Sequence, residues 1–97
     1  MPTYITFLNW TQQGIQGIKD APKRLDAAKK IYKAAGAEIK AFYLVFGQYD
    51  AVVVSEAPND EAAARVALTV GKQGNVRTQT SRAFSEAEYR KLVRSVK

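Results

Sequence analysis

Residues 42–54 read FYLVFGQYDAVVV. Two apolar runs rich in β-branched and aromatic side chains flank four residues suited to a turn. The stretch reads as a β-hairpin, and it restricts the fold more than any other part of the chain. Successive side chains of a strand point to opposite faces. Phe42, Leu44 and Phe46 therefore oppose Tyr43 and Val45, and Val52 and Val54 oppose Val53. Both faces of the hairpin are apolar, so a sheet built around it needs cover on both sides.

The rest of the chain supplies the other strands and one set of covering helices. Residues 3–9, TYITFLN, read as a strand with Ile5 and Phe7 on one face and Tyr4, Thr6 and Leu8 on the other. TQQGIQGIKD, residues 11–20, reads as a loop or a single weak helical turn. A helix is expected from Asp20, a good N-cap, with Pro22 in its first turn. Its core stripe is Leu25, Ala28, Ile31, Tyr32 and Ala35, and Gly36 fits the position just past its end. Strands are expected over residues 37–46 and 51–57. Asn59 or Asp60 then caps a second helix with the stripe Ala63, Val66, Ala67 and Val70, which Gly71 and Gly74 weaken and end. NVRTQTSRAF, residues 75–84, alternates as a fourth strand. SEAE is a capping box, Ser85 with Glu88, ahead of a last helix whose apolar face is Tyr89, Leu92, Val93 and Val96.

The order is βαββαβ plus a C-terminal helix. Two βαβ units around a hairpin give an α+β fold of ferredoxin-like layout: one domain over residues 1–97, with an antiparallel four-stranded sheet and helices on one face. The other face stays bare and apolar. Burying one Val, Leu or Phe is worth roughly 1.5–3 kcal/mol, so leaving five or six exposed is costly. The chain is therefore expected to pair through its sheet into a homo-oligomer, at least a dimer. The competing expectation is that the last helix folds back over the bare face.

Composition narrows the chemistry. The 97 residues contain no cysteine and no histidine. This removes Cys and His nucleophiles, His general bases, and zinc or haem sites that need either ligand. No spaced acidic cluster replaces them, and no metal or cofactor is expected. No apolar run approaches the ~20 residues of a membrane span. MPTYITFLNW lacks a positive n-region and a small-residue cleavage site, so no signal peptide and a cytoplasmic location are expected. The net charge of +6 favours anionic partners in principle. However, Lys19, Lys23, Arg24, Lys29, Lys30 and Lys33 run along one helix, as a solvated face does. Nucleic-acid binding through that helix is the weakest of three functional readings.

The run from FYLVFGQYDAVVVSEAPNDEAAA to GNVRTQTSRAF closely resembles the GYD-domain family of small bacterial proteins, with Gly47, Tyr49 and Asp50 supplying its letters. LNWTQQGIQGIKDAPKRLDAAKK resembles that family's N-terminal half. The resemblance implies a ferredoxin-like domain and brings no established activity. A wider pattern, Gly47, Tyr49, Asp50, Asp60, Gly74, Val76, Thr78 and Thr80, is similar to the effector domain of Lrp/AsnC regulators. Those domains pair through their sheets and bind amino acids between subunits. No helix-turn-helix pattern is read ahead of the domain, so DNA binding is not expected to carry over. Similar GxYD hairpins occur in dimeric α/β-barrel proteins, some of which are cofactor-free enzymes.

The candidate ligand-binding residues are Tyr49, Asp50, Asn9, Trp10 and Arg77. Asp50 can accept backbone N–H bonds in a turn or fix a ligand amine, with Tyr49 as an adjoining wall. Asn9 and Trp10 end the first strand, and Trp10 suits either a core edge or the wall of a cleft. Arg77 is an interface ion-pair partner or an anion ligand. Asp50 and Glu56 lie too far apart to work as a catalytic carboxylate pair. The leading expectation is a noncatalytic small-molecule-binding or accessory domain. A cofactor-free enzyme is the alternative.

Overall fold

In a computed structural model that describes residues 1–97, the strands are β1 (Thr3–Trp10), β2 (Glu38–Leu44), β3 (Ala51–Glu56) and β4 (Val76–Ala83). The helices are α1 (Gln12–Gln16), α2 (Ala21–Ala34), α3 (Asp60–Gly71) and α4 (Glu86–Ser95). All three strand pairings are antiparallel and the order is β2-β3-β1-β4. This is the expected α+β, ferredoxin-like arrangement. The hairpin joins an edge strand, β2, to a central one, β3.

Register separates the two faces. Tyr4, Thr6, Ala51, Val53 and Ser55 are buried toward the helices, where Ala57, Ala62 and Val66 meet them. On the opposite face two rungs cross the whole sheet. One is Tyr43, Val52, Phe7 and Gln79; the other is Ala41, Val54, Ile5 and Ser81. A bulge at Lys40 lets Ile39 and Ala41 pair with the successive residues Ser55 and Val54. Ile39 and Phe42 thus both line the helix side, while Ala41 joins the open face.

Local chemistry sets the helix ends. Asn59 Oδ1 accepts from the Ala62 N–H at 2.9 Å and caps α3. Beside it, the Tyr4 hydroxyl donates to Asp60 Oδ1 at 2.5 Å and fixes the start of α3 over β1. Asp20 precedes α2 as expected, but its side chain makes no cap hydrogen bond, because a 3₁₀ turn over Ile18–Asp20 leads into the helix. Residues 11–20 are more ordered than their composition suggests. Thr11 caps α1 by accepting from the Gly14 N–H, and its hydroxyl donates to the Gly74 carbonyl. Gln13 Nε2 donates to Gln73 O and Asn75 Oδ1. Short as it is, α1 is latched to the α3–β4 turn.

The Ser85–Glu88 capping box forms as expected. The helix it starts does not fold back over the sheet. α4 projects from the body, and Tyr89, Leu92, Val93 and Val96 are all exposed. The molecule measures 51 × 31 × 18 Å with a radius of gyration of 14.6 Å, against about 12–13 Å for a compact chain of this length. Only 10 of 97 residues are buried. A single chain thus leaves an apolar helix stripe in solvent and an apolar sheet face only half-buried. No helix is long and apolar enough to cross a membrane.

Candidate functional site

The GQYD turn occupies the end of the sheet where β1 finishes. Gly47 has φ +135°, a conformation that side-chain-bearing residues rarely adopt, and this explains a glycine there. Strand β2 ends at Leu44, two residues sooner than expected, and Phe46 is 98% exposed in the turn. It belongs to neither sheet face. The chain then rejoins the sheet at Asp50, whose N–H donates to Leu8 O and whose carbonyl accepts from the Val45 N–H.

Four of the five candidate residues converge here. Asp50 Oδ2 accepts from the Trp10 backbone N–H at 2.9 Å. Asn9 Nδ2 donates to Gln48 O at 3.0 Å, tying β1 to the tip of the turn. Tyr49 lies on the open face, its ring 4.8 Å from that of Phe7 and tilted by 35°. Its hydroxyl donates to Gln79 Oε1 at 2.9 Å. Arg77 stands opposite Asn9 in the β1–β4 register, on the same face, and is exposed. Phenol, amide and guanidinium thus border one end of the bare apolar face, around a carboxylate held by the backbone.

Trp10 is the exception. Its backbone belongs to this group, but its side chain lines the helix-side space with Thr6 and Leu8. The parity of β1 carried that signal, since Trp10 shares its face with Thr6 and Leu8. Trp10 is therefore no wall of an open-face cleft.

A second polar cluster escaped sequence reasoning. Tyr4, Asp60 and Arg82 meet at the β4 edge, with the Arg82 guanidinium carbon 5.9 Å from the Tyr4 ring centre and 4.5 Å from that of Phe84. The Asp60 hydrogen bond, with burial as a second cause, raises the Tyr4 phenol above its ordinary value. Burial likewise raises the phenol of Tyr32 on α2. Neither phenol is thereby activated as a base, because both are held neutral. No cluster of acidic side chains is arranged to hold a metal ion.

Comparison with known proteins agrees with this architecture. Residues 4–93 match the family described as GYD domain. A protein of Thermus thermophilus called glutamine synthetase and cystathionine beta-lyase binding protein is 32% identical over 89 residues, which cover 91% of this chain and 94% of that one. Among solved structures, the leucine response regulatory protein of Mycobacterium tuberculosis superposes with a TM-score of 0.63 at 17% identity over 87% of this chain. A feast or famine regulatory protein from the same organism, complexed with L-methionine, gives 0.66 at 16% over 88%. This chain spans 51% of the length of each of those two regulators. At such identities the likeness concerns the fold alone.

Proposed function

Since this chain belongs to the GYD-domain family, we propose that it is a noncatalytic binding or accessory domain. In this reading it assembles through the open face of its sheet and forms a small-molecule cleft between subunits beside the GQYD turn. One observation carries the reading. Ile5, Phe7, Ala41, Tyr43, Val52 and Val54 form a continuous apolar surface across β2, β3 and β1, in a chain that buries only 10 of its 97 residues. A second copy of the same face is the simplest cover, since a twofold axis makes one patch complementary to itself. Asn9, Tyr49, Asp50 and Arg77 would then stand at the rim of the pairing surface. There they could meet a ligand bearing both an amine and a carboxylate.

The relative from Thermus thermophilus, named for binding two enzymes, supports a role through contact with other proteins. The two enzymes in that name, glutamine synthetase and cystathionine beta-lyase, are the first proteins to test. The experiment is surface plasmon resonance with either enzyme from the same host over the immobilised protein. Saturable binding supports the accessory role, and none at micromolar enzyme removes that part of the reading. Nucleic-acid binding loses ground because Arg24, one of the helix cations, is half-buried and bonded to backbone carbonyls.

A further inference from the structure

The helices do not close down on the sheet. Between them lies a partly open cavity of about 110 Å³. Leu8, Phe42 and Val53 form its floor, and Leu25, Ala28 and Val70 line its roof. The helix positions above it include several alanines, and α2 contributes no fully buried residue. Protein interiors normally fill such space. An engineered apolar cavity of about 150 Å³ takes up benzene, so this one suits a body of similar or slightly smaller size.

One end of the cavity is polar. Arg24 is the only charged residue on its lining. Its guanidinium donates to Gly17 O at 2.8 Å and to Gly14 O at 3.1 Å, which fixes its orientation. Three of its five N–H groups remain, and no carboxylate lies within ion-pair distance. Trp10, the only tryptophan of the chain, lines the same cavity.

We infer that this helix-side cavity binds a small monocarboxylate with an aromatic or branched aliphatic body, the carboxylate meeting Arg24 and the body lying among Leu8, Leu25 and Val53. The site belongs to a single chain and does not depend on pairing through the open face. A carboxylate satisfies the fixed guanidinium fork, and the apolar body fills space that would otherwise stay empty.

Benzoate and its neutral analogue benzamide, titrated into the whole protein, test this with Trp10 fluorescence and methyl NMR shifts. Benzoate is expected to saturate with a millimolar or tighter Kd, about ten-fold tighter than benzamide. The shifts should fall on Leu25 and Val66 and spare Val52 and Val54 of the open face. Arg24→Gln should remove the benzoate advantage and leave benzamide binding within about two-fold, which also shows that the cavity survives the change. Ala28→Leu should block both probes; if that variant fails to fold, Ala67→Leu on the opposite helix gives the same reading. No saturation of either probe, equal affinity of the two for the wild type, or shifts confined to Val52 and Val54 would each overturn the inference.

Discussion

The carboxylate of Asp50 accepts a hydrogen bond from the backbone N–H of Trp10 at 2.9 Å. The end of β1 and the start of β3 are thereby joined at the point where the hairpin leaves the sheet. The third letter of the family's name therefore has a structural duty, whether or not a ligand also meets it. An amide oxygen can replace the carboxylate in that duty, whereas a methyl group cannot.

Substitution at this position should split accordingly. Asp50→Asn should change unfolding free energy by less than about 1 kcal/mol, and Asp50→Ala should cost about 1–3 kcal/mol by leaving the Trp10 N–H unpaired. Urea denaturation of both variants measures the difference. Equal losses in the two would mean that charge, not acceptance of the N–H, is what the position supplies.

Gly14 offers the sharpest steric test. A Cβ there would lie 1.9 Å from the carbonyl oxygen of Asn75, and neither backbone can move without breaking the latch between α1 and the α3–β4 turn. Gly14→Ala should destabilise the protein by at least about 1–3 kcal/mol. Gly71→Ala, where a Cβ meets nothing within 4 Å, should be neutral or slightly stabilising. Thermal melts of the pair suffice.

The first turn of α4 should respond to acid. Hydrogen bonding from the Ser85 backbone, then from its side chain, holds the Glu88 carboxyl below its ordinary value of 4.5. A depressed folded pKa stabilises the ordered turn above the unfolded value and loses that effect as pH falls through the folded one. A ten-residue helix standing alone is marginal. Its amide chemical shifts should therefore move toward coil below about pH 4.5, and Ser85→Ala should fray the same turn at neutral pH.

Alkali should act elsewhere. The Tyr4 and Tyr32 phenols both titrate above 10.0, so the stability they confer is complete below pH 10 and is lost as pH rises through their folded values. Absorbance at the tyrosinate band should show two phenols lagging above pH 10.0. Tyr32→Phe should remove one lagging group.

Elements written in local patterns were legible in the sequence: the four strands, the Asn59 cap, the Ser85–Glu88 box and the glycine of the turn. Alternation likewise exposed the two-sided apolar sheet. What escaped depends on partners far along the chain. The latch of α1 joins Thr11 and Gln13 to residues 73–75, and Tyr4 meets Asp60 across 56 positions. Helical periodicity marked the stripes of α2 and α3 but not how near they settle to the sheet, so the cavity beneath them had no sequence signal. Among the candidate residues, the turn pattern located Tyr49 and Asp50, while strand parity made it readable that the Trp10 side chain faces the helix-side cavity and not the open face.

The open face is proposed as the surface through which two copies of the chain pair. Sedimentation equilibrium on the wild type and on Val54→Lys, at about 1–50 μM, tests it most directly. The wild type should sediment as a dimer or larger assembly. Val54→Lys places a charge in the middle of the face, and it should sediment as a folded monomer with an unchanged circular dichroism spectrum. A wild type that is monomeric throughout that range would mean that the open face does not pair.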